Sequence, residues 1–479
     1  MLGGGGRALL QYGQSTQERG RMADALTALS PLDGRYHGDV AELASYFAES
    51  ALMRYRIRVE VEYLIMLCKA RPVVAVANLE PAKVDALRAL YTTFGPAEAA
   101  AISAIDKRVN HDVKAIEYWL RDRLDALGIG HLKEMVHFGL TSEDVNNLSY
   151  ALMVREARDQ VLSPAIGEVM NHLHALSLDE AHTVMPARTH GQIATPTTFG
   201  KEMAVILARL QRARDTLNAI PLTGKLNGAT GTLAAHAVAM PDVDWMVFSR
   251  AFVRILDLEP IMLTTQIEPN DSLAEVCDAM RRICTILTDM DQDLWRYISD
   301  GYLVQRPKAG EVGSSTMPHK VNPIDFENSE GNLGIAGALL EFFARKLPVS
   351  RLQRDLTGST VLRNVGVAFG HMVIGCKRAA KGLSKISTNR ELMHQHVVDH
   401  PEVLAEAYQT ILRRANVSEP YELLKTLTRG KTTVTMADLH AFIETLPVDD
   451  ALKHELRALT PETYIGVAPK LAGLIVRKQ

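Results

Sequence analysis

The residues most able to do chemistry in this chain lie at 310–328, in the string GEVGSSTMPHKVNPIDFEN. Ser314 and Ser315 supply hydroxyl groups, and Lys320 brings a positive charge close to them. Asn322 followed by Pro323 is typical of a helix N-cap and a first helical residue. Because a helix N-terminus attracts anions, this segment predicts a site for a negatively charged ligand.

Two further side chains are suited to moving a proton. His190 lies in the segment Arg188-Thr-His-Gly-Gln192, and a histidine accepts or donates a proton near neutral pH. Glu327 falls in the first turn of the helix expected after Pro323. From the residues alone, a structural role is the simpler interpretation of both. His190 would bind loop carbonyls, and Glu327 would complement the helix dipole.

Ser314 is the harder candidate, because a serine hydroxyl acts as a base only where donors stabilise its alkoxide and water is excluded. Glycines at 310 and 313 and the cation of Lys320 would supply such a site if the loop closes over a ligand. From the sequence alone, Ser315 is a rival for this role. A Ser–His nucleophile pair is the alternative chemistry, but its G-x-S-x-G elbow is missing from this loop.

Long helices are the elements that must position these residues. Apolar residues recur at every third or fourth position over Asp271–Ser299, which predicts one amphipathic helix. Similar patterns predict helices at 146–177, 196–219 and 323–346. No stretch alternates strongly enough to predict a sheet, and long helices usually pack side by side. The expected fold class is therefore all-α, with a central helical bundle.

Length and composition indicate more than one domain. The chain has 479 residues, of which 47% are hydrophobic, enough for several cores. We expect a flexible extension at 1–21, an N-terminal helical domain at 22–130, the central bundle at 131–383 and a smaller C-terminal helical domain at 384–479.

The charge and the cysteines narrow the class of function. A formal net charge of −3 and the absence of long basic runs argue against nucleic acid or a membrane surface as the main partner. No apolar run approaches the roughly eighteen residues that span a bilayer. The four cysteines show no C-x-x-C spacing, which predicts buried thiols in a reducing cytosol. His111 and Asp112 match no zinc-binding spacing, so no metal is expected.

The string at 310–328 resembles the signature of the fumarase/aspartase superfamily, whose members break a C–N or C–O bond by β-elimination and release fumarate. The resemblance covers nearly the whole chain from about residue 22. It is carried by further segments at 30–36, 110–114, 141–147, 188–192, 264–269 and 354–363.

This resemblance implies the roles of the catalytic residues. Ser314 is the base that removes a proton from carbon, and His190 is the acid that protonates the leaving nitrogen. Lys320 stabilises the carbanion, and Glu327 orients the histidine. It also implies a three-domain fold that assembles into a homotetramer with shared active sites. No cofactor is expected, because the substrate's own carboxylate accepts the electrons.

His319 before the lysine, with Val-Asn-Pro after it, resembles the branch of the superfamily that acts on succinylated purine nucleotides. Such a substrate carries a phosphate and two carboxylates, so cations and hydrogen-bond donors must converge on it. The residues that the resemblance assigns to substrate binding are Arg35, Tyr36, Asn110, His111, Asp112, Thr141, Ser142, Gln266, Lys320, Asn322, Asn328, Arg354, Ser359, Thr360 and Arg363.

The expected function is that of a cytosolic lyase of purine biosynthesis, which removes fumarate from a succinylated purine nucleotide and from its succinylated ribotide precursor. One alternative is another fumarate-releasing lyase, of the argininosuccinate lyase or fumarase type; His319 and the 30–36 segment weigh against it. The other is a catalytically silent helical oligomer. The joint presence of Ser314, His190, Lys320 and Glu327 weighs against that.

Overall fold

A computed structural model describes residues 25–70, 79–306, 317, 320–428 and 434–474 of the chain. Helices dominate this part of the chain, which confirms the predicted all-α class. The helices of the N-terminal part are His37–Val40, Ala44–Phe47, Glu49–Lys69, Pro81–Thr92, Pro96–Val109 and Asp112–Ala126. Those of the central part are Ser142–Ala157, Ser163–Asp179, Phe199–Ala219, Ala234–Ala239, Trp245–Ile255, Asp271–Ser299, Ile324–Lys346, Thr357–Leu362 and Val365–Lys385. Those of the C-terminal part are Arg390–Val398, Ala405–Arg414, Pro420–Thr428, Met436–Thr445, Asp450–Arg457 and Ala468–Ala472.

Five long helices form a closed ring at the centre of the molecule. In order around the ring they are Ser163–Asp179, Phe199–Ala219, Asp271–Ser299, Ile324–Lys346 and Val365–Lys385, and the last packs against the first.

The Asp271–Ser299 and Ile324–Lys346 helices run antiparallel. At one end Asn270 Nδ2 donates a hydrogen bond to the carbonyl of Leu347 at 3.4 Å. At the other end Trp295 Nε1 donates to Glu327 Oε1 at 3.1 Å. The first of these helices has 29 residues, so its length is about 43 Å at 1.5 Å per residue. The two ends of the ring are therefore roughly 40 Å apart.

The Asp271–Ser299 helix begins and ends where its apolar pattern predicts. Val276, Met280, Ile283 and Leu287 of its stripe are fully buried. Burial of each such side chain stabilises the fold by about 1.5–3 kcal/mol. The stripe faces the neighbouring helices, which explains why the ring closes around it.

The buried apolar residues that the structure describes form three clusters, and the Glu49–Lys69 helix lies between two of them. Tyr55 and Tyr63 belong to the large central cluster that the ring helices build. Ile57 and Leu64 belong to a second cluster, which contains residues up to Val136. A third cluster lies within the C-terminal helices, between positions 404 and 456. This helix therefore fixes the N-terminal part against the ring.

Within the described ranges, three short two-stranded sheets interrupt the helices, and the sequence did not predict them. Val184–Thr189 pairs antiparallel with Gln192–Thr198, Thr223–Gly224 pairs parallel with Glu259–Pro260, and Leu303–Gln305 pairs antiparallel with Ile386–Thr388. In the first, Pro186 is opposite Pro196. Prolines weaken a strand signal, which is why this hairpin was missed.

Three predicted helix boundaries need correction. The helix expected at 196–219 begins at Phe199, because the second hairpin strand runs to Thr198. The helix expected at 146–177 is two α-helices, Ser142–Ala157 and Ser163–Asp179, joined by a π-helical turn at Arg158–Leu162. The helix expected at 323–346 begins at Ile324, and Pro323 rather than Asn322 is its N-cap.

All four cysteines are buried and unpaired, as predicted. Within the ranges described above, no helix has the length and apolar character needed to cross a bilayer. The same residues contain no group of three or more His, Cys, Asp or Glu side chains suited to hold a metal ion.

Candidate active site

A cavity of about 640 Å³ opens at the end of the ring where Asn270 meets Leu347. Its volume lies within the range of small-molecule sites. The predicted substrate-binding residues that line it are Asn110, His111, Asp112, Ser142, Arg354, Ser359 and Arg363. The fold thus brings together three segments that lie far apart in sequence. Three further predicted residues lie next to the cavity without lining it. Thr141 adjoins Ser142, Thr360 adjoins Ser359, and Gln266 contacts Arg354.

The first wall is the turn between two helices. Asn110 ends the Pro96–Val109 helix in the left-handed conformation, with φ of 52°. His111 caps the next helix, because its Nδ1 accepts a hydrogen bond from the Lys114 amide at 3.1 Å. Asp112 is the first residue of that helix. The change of direction presents three consecutive polar side chains to the cavity.

The second wall is the start of the helix that carries Ser142. Asp144 Oδ2 accepts a hydrogen bond from the Thr141 amide at 2.9 Å, which completes a capping box. Asp144 also forms an ion pair with Lys225 Nζ at 3.0 Å, and both side chains are fully buried. Lys225 Nζ donates in addition to the Gln266 carbonyl at 2.7 Å. The buried pair therefore fixes the position of Ser142 relative to Gln266.

Arg354 is held at the cavity by two partners. Its Nη1 donates to Gln266 Oε1 at 3.0 Å, and its Nη2 lies 3.7 Å from Glu143 Oε2. Burial raises the pKa of Glu143, against the charge of Arg354. Burial also raises the pKa of Glu268 to about 7, although its carboxylate accepts a hydrogen bond from Thr223 Oγ1 at 2.8 Å. Glu143, which faces Arg354, and Glu268, two residues after Gln266 in the chain, therefore hold their protons more tightly than usual.

Arg363 makes two ion pairs at the third wall. Its Nη1 donates to Glu49 Oε2 at 2.7 Å, and its Nη2 donates to Asp112 Oδ2 at 3.0 Å. The same Asp112 oxygen accepts a hydrogen bond from Arg56 Nη2 at 2.8 Å. Burial alone would raise the pKa of Asp112, but Arg56 and Arg363 outweigh it and the pKa is lowered. Asp112 is therefore ionised.

Ser359 and Thr360 use their polar groups within their own helical segment. Ser359 Oγ donates to the Leu356 carbonyl at 2.8 Å, and the Thr360 carbonyl accepts from Asn364 Nδ2 at 3.1 Å. Ser359 still lines the cavity through this position.

The acidic groups that line the cavity outnumber the basic ones. Among the described residues, the five acidic groups are Glu49, Asp106, Asp112, Glu143 and Asp355, and the three guanidinium groups are Arg56, Arg354 and Arg363. A ligand with several negative charges therefore needs further cations from outside this cavity.

His190 lies at the opposite end of the ring, at the tip of the hairpin. It is exposed and has φ of 53°, and Gly191 beside it has φ of 76°, the conformations of a tight two-residue turn. Arg188 Nη1 donates to the Gly191 carbonyl at 3.3 Å, and Arg188 Nε lies 3.9 Å from Asp300 Oδ2. The turn is thus fixed to the end of the Asp271–Ser299 helix.

Glu327 is at the same end as His190, in the first turn of the Ile324–Lys346 helix. Its Oε1 accepts a hydrogen bond from Trp295 Nε1 at 3.1 Å. In the part of the chain that the structure describes, no hydrogen bond or ion pair joins Glu327 to His190. The predicted orientation of the histidine by this carboxylate therefore stays a prediction.

The remaining predicted residues also lie near this end or outside the described residues. Asn328 Nδ2 donates to Tyr36 Oη at 3.1 Å, and Arg35 is exposed beside Tyr36. Lys320 is exposed and Asn322 is partly buried. The predicted base Ser314, its rival Ser315 and His319 lie outside the described residues.

Several residues at the cavity were not singled out from the sequence. Glu143 and Asn146 lie inside the 141–147 segment that was compared with the superfamily, so the signal was present. Arg56 and Lys225 belong to no such segment. The sequence gives Arg56 no signal of its own, because Arg56 is one of five charged residues that alternate with apolar or aromatic ones from Arg54 to Glu62.

Comparison with known proteins gives two matches to family models. Residues 34–336 match the family described as Lyase, and residues 350–465 match the family described as Adenylosuccinate lyase C-terminal. The adenylosuccinate lyase of Escherichia coli (strain K12) is 45% identical over 445 residues, which cover 93% of this chain and 97% of the relative. The enzymes of the same name from Dictyostelium discoideum and Legionella pneumophila (strain Corby) are 46% and 47% identical, each over 93% of this chain and 97% or 98% of the relative.

Solved structures show the same fold at low identity. A fumarate lyase from Mesorhizobium sp. BNC1 has a TM-score of 0.71 and 19% identity, covering 90% of this chain and 96% of its own. The 3-carboxy-cis,cis-muconate lactonizing enzyme from Pseudomonas putida has a TM-score of 0.68 and 20% identity, covering 90% and 95%. These two resemblances concern the fold alone.

Proposed function

Because this chain belongs to the adenylosuccinate lyase family of the fumarase/aspartase superfamily, we propose that it cleaves adenylosuccinate to AMP and fumarate. It is an enzyme of the lyase class. We propose that it also releases fumarate from the succinylated aminoimidazole carboxamide ribotide. The observation that carries the proposal is the 45% identity to an adenylosuccinate lyase over 93% of the chain, together with a cavity lined by Arg354 and Arg363.

The proposed reaction is a β-elimination without a cofactor. Ser314 removes a proton from the carbon next to a succinyl carboxylate, and the electron pair is delocalised into that carboxylate. Lys320 and Asn322 stabilise the negative charge. The C–N bond then breaks, and His190 gives its proton to the leaving nitrogen. Glu327 fixes the tautomer of His190 and raises its basicity.

We propose that each active site is built from more than one chain of a homotetramer. In one chain the cavity and His190 lie at opposite ends of a ring roughly 40 Å long, too far apart to act on one small substrate. The excess of carboxylates over guanidinium groups in the cavity supports the same idea, because a polyanionic substrate requires more cations than these three arginines. Lys320 at the hairpin end of another chain is a suitable source.

The domain limits at 22–130, 131–383 and 384–479 stay predictions, as does the location in the cytosol. Four buried, unpaired thiols support a reducing compartment. Fractionation of the source cells against a cytosolic marker tests the location.

The first experiment compares substrates. Purified protein is incubated in parallel with adenylosuccinate, argininosuccinate and malate, and the change of absorbance is followed. Cleavage of adenylosuccinate alone supports the proposed function. Cleavage of another substrate favours the other fumarate-releasing lyases, and no reaction with any of them favours the silent oligomer.

The second experiment tests the shared site. His190→Ala and Arg354→Ala variants are mixed after reversible dissociation and assayed near the wild-type KM, where each variant alone has little activity. If the two residues come from different chains, random exchange restores about a quarter of the wild-type activity, since that fraction of sites receives both intact groups. Exchange is verified by mass spectrometry of tagged chains. Verified exchange without recovered activity would show that both residues act from one chain.

A further inference from the structure

Arg56 is the most deeply buried charged residue of the cavity wall, with 2% of its surface exposed. A guanidinium group is always charged, so its burial is costly unless partners surround it. It lies on the Glu49–Lys69 helix, whose residues were not assigned to the site from the sequence. A buried charge at this place requires an explanation.

The guanidinium of Arg56 connects three helices at the cavity. Its Nε donates to Asn146 Oδ1 at 2.9 Å, on the helix that also carries Ser142. Its Nη2 donates to Asp112 Oδ2 at 2.8 Å, at the start of the next cavity segment. The planar fork of an arginine suits such a double contact, because two donors are held in fixed geometry. Arg56 therefore sets the distance between two walls of the cavity.

The same contact controls a third wall through charge. Asp112 Oδ2 accepts hydrogen bonds from both Arg56 and Arg363. If Arg56 were absent, Arg363 would be the one cation left on this carboxylate among the described residues and would be held there more strongly. With Arg56 in place, Asp112 is neutralised from the buried side, and Arg363 on the more exposed side is able to turn to a ligand.

We propose that Arg56 is a positioning residue for substrate binding, which holds Asp112 and Asn146 in register and thereby leaves Arg363 available to an anionic group of the substrate. This inference rests on the proposed function, since it assumes the same ligand in the same cavity. The Nη1 atom of Arg56 supports it. That atom is buried and has no hydrogen-bond partner among the described residues. The side chain therefore leaves one donor unpaired while it keeps its contacts with Asp112 and Asn146.

The test uses Arg56→Gln and Arg56→Lys in the full-length protein. Glutamine removes the charge and the fork, so the KM for adenylosuccinate should rise about tenfold while kcat stays within about threefold of the wild type. Lysine keeps the charge but not the two-donor geometry, so the KM of Arg56→Lys should lie between those of the wild type and Arg56→Gln. The dissociation constant of AMP, measured by calorimetry, should rise in parallel with KM.

The matched control is Arg58→Gln. Arg58 lies on the same helix, two residues further on, and pairs with Glu156 Oε1 at 2.7 Å away from the cavity. This variant should keep the wild-type KM even if its melting temperature falls. A purely structural role of Arg56 would give the same pattern as the control, with a lower melting temperature and an unchanged KM.

A folded Arg56→Gln protein whose KM and AMP affinity stay within about twofold of the wild type would overturn the inference. If that variant does not fold, Arg56→Lys decides, and an unchanged KM in it overturns the inference equally. Failure of the proposed function is recognised separately, because the wild-type protein would then not cleave adenylosuccinate at all.

Discussion

The two ends of the helical ring are built in different ways. At the cavity end, the predicted binding residues are held by buried or half-buried partners, such as the Asp144–Lys225 pair and the Arg56–Asp112 contact. At the hairpin end, His190, Glu327 and Lys320 are exposed. Most of the proposed binding groups are thus held in place without a ligand, whereas the proposed proton-transfer groups depend on something else to exclude water.

This difference indicates how the activity is divided within the chain. Electrostatic binding is strongest when charges and dipoles are fixed in advance, which a folded single chain supplies. Proton transfer requires a closed and dry site, which the exposed hairpin end of a single chain does not supply. We therefore expect changes at the cavity end to alter mainly KM or stability, and changes at the hairpin end to alter mainly kcat.

The largest effect is expected from loss of the proposed base. Ser314→Ala should lower kcat by about a thousandfold or more, because it removes the proposed base, while AMP still binds with wild-type affinity. Steady-state kinetics and calorimetry measure the two quantities. Ser315→Ala is the matched control. If Ser315→Ala loses turnover and Ser314→Ala keeps it, the base has been assigned to the wrong serine.

The next effect concerns the buried ion pair of the cavity end. Lys225→Met leaves Asp144 as an uncompensated buried charge, and breaking such a pair costs about 3–5 kcal/mol. The melting temperature should fall markedly, as followed by circular dichroism. Lys201→Met, which removes a partly exposed pair with Glu202, is the control and should have little effect. Equal melting temperatures for the two variants would show that the buried pair does not organise this end.

Much of the fold follows from the sequence, because helical periodicity is a local property. The Asp271–Ser299 helix was predicted to the residue, since its apolar stripe is continuous. The hairpin was missed, because Pro186 and Pro196 weaken a strand pattern that only pairing completes. The start of the Ile324–Lys346 helix was displaced by one residue, which is the usual uncertainty of a helix end.

The site was less predictable, for a different reason. The motif residues Asn110, Ser142, Arg354 and Arg363 were identified through a resemblance, and the fold brings them to one cavity. Nothing in the sequence showed that His190 lies at the other end of the ring. Arg56 was missed because its importance comes from contacts with residues about 60 to 90 positions away, which no local pattern records.

The cavity end also contains a buried carboxyl group, Glu268, whose proton binding makes stability depend on pH. Burial raises the pKa of Glu268, near the cavity, from 4.5 to about 7. Its contribution to stability is therefore fully present below pH 4.5 and is lost as the pH rises through 7, by about 3 kcal/mol in total. In Glu268→Gln the side chain is neutral at every pH, so its melting temperature relative to the wild type should increase from about pH 5 to about pH 8.

The control for this prediction is Glu341→Gln, at an exposed pair with Arg345. Its melting temperature should follow that of the wild type across the same range. Glutamine at 268 has one carbonyl oxygen, so it cannot accept from both Thr223 and the Asn270 amide as the carboxylate does. That loss shifts the melting temperature of the variant by the same amount at every pH. The change of the melting-temperature difference with pH therefore still reports the pKa of Glu268. If the melting temperatures of Glu268→Gln and of the wild type changed with pH by the same amount, the raised pKa would be contradicted.

The smallest expected effect concerns the exposed side of the cavity. Glu49 occupies Arg363 Nη1 in the structure, so an anionic ligand that binds this arginine must displace the carboxylate. Glu49→Gln should therefore lower the KM for adenylosuccinate, with kcat unchanged. The pair is about half exposed, at 45% and 55% of the two side chains, and such pairs are worth at most about 1 kcal/mol, so a decrease of about twofold to fivefold is expected. Glu42→Gln is the matched control, since Glu42 has a similar exposure and pairs with Lys377 away from the cavity.

Inhibition by inorganic phosphate and by succinate should also be measured in each variant. If only phosphate binds more tightly to Glu49→Gln, Arg363 receives the phosphate of the substrate; if only succinate does, it receives a carboxylate. A KM that is unchanged or raised would mean that Arg363 does not leave Glu49 when the substrate binds, and the cavity end would then be fixed even at its exposed side.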